Sequence, residues 1–146
     1  MEVALSPLAF ARRTRALYGD REAVVDGALR LTYAQFFDRC DRFSSALQTL
    51  GVGAGDRVAY IAPNTHAHLE SFYAVPQIGA VLVPINYRLS PEEFTYIINH
   101  SGATTFPVAS ISLESSGSVP CQALIGPTQS ITPLRQRTPA SAMSPM

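Results

Sequence analysis

Apolar and polar positions along the first hundred residues fall into two rhythms, one helical and one of strands. "LSPLAFARRTRALYG" (5–19) opens on Ser6 with Pro7 at the first helical position and closes on Gly19, the start and stop signals of a short helix. "EAVVDGALRLTY" (22–33) reads as two short strands around Asp26-Gly27, a hairpin dipeptide. "TYAQFFDRCDRFSSALQTLG" (32–51) is the strongest helical signal. Thr32 caps it and Gln35, three residues on, completes a capping box. Phe36, Cys40, Phe43, Leu47 and Leu50 recur at spacings of three and four, so they share one face. Asp38, Arg39, Asp41, Arg42 and Gln48 take the other sides and read as a solvated surface. Gly51 stops the helix.

Two apolar runs of strand length follow, "RVAYIAP" (57–63) and "AVLVPI" (80–85), both read as parallel strands covered on two faces. Between them, "NTHAHLESFYAVPQIG" (64–79) predicts a helix capped by Asn64 or Thr65. Leu69, Phe72 and Tyr73 form its apolar side, and Pro76 ends or kinks it. "SPEEFTYIINHSG" (90–102) predicts another helix, with Ser90 as cap, Pro91 at the first position, Glu93 closing the box and Gly102 stopping it. Its apolar stripe is Phe94, Ile97, Ile98 and Ser101. Strand, helix, strand, helix is the alternation of an α/β protein with a parallel sheet and right-handed crossovers. A third parallel strand belongs directly after Gly102. The segment there is "ATTFPVAS", and Pro107 removes a ladder donor, so the strand is expected to fail and the sheet to be incomplete.

Composition changes at that point. Residues 106–146 hold six of the eleven prolines, eight serines and three of the twenty-two charged side chains (Glu114, Arg135, Arg137). No periodicity survives there, and such a segment cannot bury enough apolar surface to offset its ordering entropy. The chain therefore divides into residues 1–105, an α/β portion, and residues 106–146, a Ser/Pro-rich tail expected to be disordered or frame-altered. Eleven basic and eleven acidic side chains cancel, so nothing draws the chain to nucleic acid or an anionic membrane. All eleven basic residues are arginines; the sequence contains no lysine. No segment reaches the roughly 20 apolar residues of a membrane span, and no secretory leader is visible, so the expected compartment is the cytoplasm.

Candidate chemistry is sparse. Gly51, Gly53 and Gly55 look like a phosphate cradle. A dinucleotide loop, however, lies between a strand and a helix N-terminus, and these glycines follow a helix and precede a strand. They are read as a turn, Gly51 as helix stop and Gly53 and Gly55 for unusual backbone angles. His66 and His68 stand two apart on a helix, facing different ways, and are read as solvated. His100 sits in a last helical turn, and Glu92 and Glu93 in a first turn, where their charges suit the helix dipole. Ser115-Ser116-Gly117-Ser118 lacks the strand, helix and lysine of a phosphate loop. Cys40 and Cys121 share no metal-like spacing; Cys40 is read as a buried free thiol.

"YGDREAVVDG", "LTYAQFFDRCDRFSSALQTLGVGAGDRVAYIAPN" and "ESFYAVPQIGAVLVPINYRLSPEEFTYIINHSGA" together make residues 6–103 resemble the N-terminal part of the AMP-forming acyl-activating enzymes. These are the acyl-CoA synthetases and their adenylating relatives. The likeness is nearest to the short- and medium-chain or plant-type branch, and "GDRVAYIAPN" followed by "GAVLVPINYRLSPEE" is the specific combination. The resemblance implies a segment of the large N-terminal domain in a family that makes an acyl adenylate from ATP and a carboxylate, then an acyl-CoA. It also implies a phosphate loop ending in P-K-G, an aromatic-acid motif for Mg-ATP, a ribose-binding Asp and a C-terminal lysine. No position here matches any of these. No catalytic, cofactor-binding or metal-ligating residue is therefore assigned, and no cofactor is expected for this chain, where the parent family uses ATP, Mg and CoA. Asn64, Asn86, Tyr87 and Arg88 belong to the shared motifs and are read as structural or pocket-wall positions.

Two functions follow from different classes. The first is a truncated or frame-altered carboxylate–CoA ligase product, inactive by itself. The second is an interaction or acyl-binding module that self-associates or pairs with a full-length homologue through the exposed sheet edge. A parent enzyme of this family could be peroxisomal or mitochondrial, although "SPM" is not a peroxisomal tripeptide.

Overall fold

The computed structural model describes residues 6–108 and 122–125. The elements are α1 (Pro7–Tyr18), β1 (Glu22–Asp26), β2 (Leu29–Thr32), α2 (Tyr33–Thr49), β3 (Arg57–Ile61), α3 (His66–Gln77), β4 (Val81–Ile85), α4 (Pro91–Ser101), β5 (Thr105–Val108) and β6 (Gln122–Ile125). The Ser115–Ser118 run and Cys121 lie outside the described residues, as does most of the segment 106–146.

The sequence signals at the starts of α1, α2 and α4 act as read. Ser6 Oγ accepts from the Leu8 N–H at 3.2 Å. Thr32 Oγ1 accepts from the Gln35 N–H at 3.3 Å while Gln35 Oε1 accepts from the Thr32 N–H at 2.9 Å. Ser90 and Glu93 make the same reciprocal pair at 3.3 and 2.8 Å. Each box satisfies two of the amide donors that a helix leaves free at its start. Gly102 ends α4 in the left-handed region at φ 64°. Gly27 turns the β1–β2 hairpin at φ 58°, with Asp26 opposite Leu29 across a two-residue loop.

The second sheet has the order β4-β3-β5-β6, with β3 parallel to both β4 and β5. β3 is its buried strand: Val58, Ala59 and Tyr60 are all inside. Val58 packs with Leu47 of α2 and Val75 of α3. Its neighbour Ala59 points the other way, into a cluster with Ile98 of α4 and Ala103. The sheet is thus covered by α2 and α3 on one face and α4 on the other. The hairpin closes a third cluster, in which Val24 and Leu31 meet Phe36, Phe37, Cys40 and Ala74.

Several expectations need correcting. β4 is an edge strand, with Val81 half exposed, so its apolar run does not mean burial on both faces. Pro84 is tolerated there because an edge residue has no neighbour on one side to miss its N–H. After Gly102 the strand forms in spite of Pro107. A strand residue directs its N–H at one neighbour only, so the proline costs a single ladder bond. The backbone of Gln122–Ile125 then pairs antiparallel with β5, a strand the tail's composition does not predict. Backbone pairing needs free N–H and C=O groups, not an apolar pattern.

On α3 the buried residues are Glu70, Ser71, Ala74 and Val75, whereas Leu69 and Phe72 are exposed. Pro76 lies one residue before the helix end and does not break it earlier. On α2, Phe37 and Ser44 are buried beside the predicted stripe, and Leu50 is exposed. Arg39 is not solvated: it is ion-paired with the buried Glu70. Asp41 accepts from Arg15 of α1 at 2.8 Å and from Gln77 of α3 at 2.6 Å. Ser44 Oγ donates to the Ala74 carbonyl at 2.8 Å. These polar contacts fix the register of three helices. Among the described residues no helix is long and apolar enough to cross a membrane.

The glycine run is a turn. Gly51 and Gly55 have φ of 85° and 86°, and the Gly55 N–H donates to the Gly79 carbonyl at 2.9 Å. Gly53 has no positive φ; its N–H donates to Asp56 Oδ2 at 2.7 Å. Gly79 itself has φ 79°, and a Cβ there would come within 3.0 Å of the Ala54 Cβ. Gly79→Ala is expected to cost about 2 kcal/mol or more, combining the left-handed penalty with overpacking, read as a lower urea midpoint. The Cys40 thiol is fully buried, and burial pushes its pKa up to about 12. Iodoacetamide at pH 8 is expected to leave Cys40 unmodified in the folded chain and to label it in denaturant.

Candidate functional site

The chain runs from β3 to β4 on one side and from β4 back past β3 to β5, with α3 and α4 on opposite faces. The loops leaving β3 and β4 therefore diverge. In a parallel sheet that divergence opens a crevice outside the carboxyl ends of the strands, the usual place for a ligand. A cavity of about 580 Å³ occupies it here, walled by Pro63 and Asn64 after β3 and by Asn86, Tyr87 and Arg88 after β4.

The post-β4 loop is built locally. Asn86 Oδ1 accepts from the Arg88 N–H at 3.0 Å, and the Asn86 carbonyl accepts from the Leu89 N–H at 3.3 Å. This Asx turn aims the next side chains outward. Arg88 Nε donates to the Tyr87 hydroxyl at 3.0 Å, and the guanidinium lies 5.4 Å from the Tyr87 ring centre. Arg88 pairs with no carboxylate among the described residues, and no acid lines the cavity. The crevice thus favours an anionic group. Asn64, Asn86, Tyr87 and Arg88, dispersed over two motifs in the sequence, are brought together as pocket walls.

A smaller cavity of about 360 Å³ lies alongside, between the hairpin and α3, and shares Asn64 and His68 with the first. His66 is tied down rather than solvated: its Nδ1 stands 2.7 Å from Asp26 Oδ2, and its backbone N–H donates to the same oxygen at 2.9 Å. Asp26 thereby caps α3 from another element, while Thr65, the N-cap residue, makes no side-chain cap bond. The His66 backbone N–H first, and its imidazole second, hold the Asp26 carboxyl below its usual 3.8. His68 is not solvated either. Its ring lies 5.5 Å from Tyr60 and 5.3 Å from Phe72. His100 stacks on Tyr96 at the exposed end of α4. Glu92 and Glu93 occupy the first turn of α4, Glu93 in its box.

An imidazole oriented by a carboxylate resembles half of a catalytic relay. Among the described residues no serine, threonine or cysteine side chain is hydrogen-bonded to the imidazole of His66 or His68, and no group of three metal-binding side chains gathers. The arrangement can hold an anion; it does not assemble a nucleophile.

The family described as AMP-binding enzyme matches residues 11–139. The chain belongs to that family. It is 46% identical over 97 residues to the 4-hydroxybutyrate–CoA ligase 2 of Metallosphaera sedula, covering 66% of this chain and 18% of the relative. It is also 46% identical over 96 residues to the long-chain-fatty-acid–CoA ligase of Thermus thermophilus, covering 63% and 18%. The solved Mycobacterium tuberculosis fatty acyl CoA synthetase superposes with a TM-score of 0.66 at 33% identity, over 68% of this chain and 20% of that one. The chain thus spans about a fifth of the length of the family members it matches, and its small parallel sheet is similar to their N-terminal portion.

Asp26→Asn keeps the shape but removes the carboxylate that caps α3, and is expected to cost about 1 kcal/mol in urea unfolding at pH 7. Asp26 and Asp41 both titrate below 3.8 in the folded chain. Their stabilisation is complete above that value and drains as pH falls through the folded values. The native chain is expected to lose stability below about pH 4, and the Asp26→Asn variant to lose less over the same window.

Proposed function

We propose that residues 1–105 are the opening scaffold of a carboxylate–CoA ligase, and that the 146-residue chain makes no acyl adenylate by itself. The observation that carries this reading is the make-up of the crevice in a lysine-free sequence. It offers Arg88 and the Asn64 and Asn86 amides to an anion, with no lysine and, among the described residues, no group of side chains that could hold a metal beside a phosphate. The phosphorylated thiol that the relatives ligate is an anion of suitable kind, so the crevice is read as a wall of the CoA end of the site. ATP, Mg and the acid substrate are assigned to parts of the family fold that lie downstream.

ATP–pyrophosphate exchange tests the reading. The chain, given Mg-ATP and a panel of short, long and aromatic carboxylic acids, is expected to give exchange no faster than buffer. Exchange above that background with any acid sinks it.

A further inference from the structure

The two edges of the parallel strands are closed by different means. On the β5 side the chain's own Gln122–Ile125 pairs antiparallel with Thr105–Val108. On the β4 side no strand is paired among the described residues, and Val81 and Pro84 are exposed there. An open edge of this kind is a template for strand addition by another chain. The direction of each β4 amide follows from one hydrogen bond. The Val81 N–H donates to the Asp56 carbonyl at 2.7 Å, so Val81 faces β3. Backbone groups of successive strand residues point alternately to the two sides, and the register runs unbroken from Arg57↔Val81 to Ile61↔Ile85. Val83 and Ile85 therefore also face β3, and Leu82 and Pro84 face outward. Pro84 has no N–H. It stands where the missing donor costs the native sheet nothing and costs an incoming strand a bond.

We propose that Pro84 closes the β4 edge and keeps the chain from adding a second copy of itself along that strand. A second copy is the partner that matches the edge in length, because a two-fold axis at Val83 lays β4 antiparallel on itself. Leu82 then stands opposite Pro84 of the second copy at both ends of the pair. Each of these positions calls for two N–H···O bonds and can form only one, since Leu82 donates and Pro84 cannot. Half the bonding of the pair is lost while the rest of the apolar strand stays as it is. Pro84 and Ile85 also wall the crevice, so a strand seated on this edge would run beside it. The edge is closed in this way whether or not the chain is a ligase scaffold.

The test restores the missing donor. Pro84→Ala and the native 146-residue chain are compared by light-scattering mass over a range of concentrations and by amide hydrogen exchange. The native chain is expected to stay at the monomer mass, with the Leu82 amide exchanging freely and the Val81, Val83 and Ile85 amides protected. Pro84→Ala is expected to double in mass as concentration rises, and to slow exchange at Leu82 and at position 84 roughly tenfold or more. Its urea midpoint in dilute solution is expected to match the native one, which separates edge pairing from exposure by unfolding. Adding Val81→Lys, a charge at the exposed start of the edge, is expected to return Pro84→Ala to the monomer. A native chain that dimerises with its Leu82 amide protected overturns the proposal. So does a Pro84→Ala chain that keeps the monomer mass, or one that associates without protecting Leu82.

Discussion

The structure depends on the burial of β3. A parallel strand cannot leave either face in water without exposing a run of apolar side chains, and three of β3's five residues are wholly enclosed. That requirement forces helices onto both faces, α2 and α3 against Val58 and α4 against Ala59. Covering both faces from a chain that crosses over in one hand means reversing direction after β4. The reversal is what opens the crevice. The place where a ligand can sit is thus a consequence of how one strand is buried, before any polar residue is considered.

The glycines around that strand serve the same end. Gly55 and Gly79 sit at the amino ends of β3 and β4 and are joined by a backbone hydrogen bond. They lock the two strand entries at close approach, which is why Ala54 leaves no room for a Cβ at Gly79. The loop that most resembles a nucleotide cradle therefore lies at the end of the sheet opposite the crevice. Its effect on ligand binding is indirect: it sets the stagger of the strands whose far ends form the site.

Local signals in the sequence are reliable where the physics is local. Both capping boxes, the Gly102 stop and the α2 stripe from Phe36 to Leu47 depend on residues within a turn or two, and each is present, while Leu50 at the stripe's end is exposed. What the sequence hides is set by distant partners. Leu69 and Phe72 have helical apolar spacing, yet α3 turns Glu70, Ser71, Ala74 and Val75 inward. Glu70 can be buried only because Arg39 reaches it from α2, thirty-one positions earlier. Proximity in the chain points to Asn64 or Thr65 as the cap of α3, and Asp26 supplies it from the hairpin. The motif residues Asn64, Asn86, Tyr87 and Arg88 are legible as a set, but their convergence depends on β3 and β4 being neighbours. β4's edge position and the strand across Pro107 are hidden for a similar reason, since strand order is not written in any one strand's pattern.

The uneven distribution of buried and exposed apolar residues bears on what the segment is for. Beneath the hairpin, Phe36, Phe37 and Tyr73 pack edge to face, and Cys40 is sealed among them. On α1 the reverse holds: no residue is buried, and Phe10, Leu17 and Tyr18 face solvent. A fold that closes one cluster so well does not leave large side chains outside for lack of packing capacity. Among the described residues α1 lends only Ala11 to the buried clusters, so its larger apolar side chains stay on the surface. The polar ends of β3 and β4 and the apolar faces of α1 and α3 are then two sides of one arrangement. The first shapes a crevice lined by Arg88 and no acid, and the second leaves large apolar side chains on the outside of the segment.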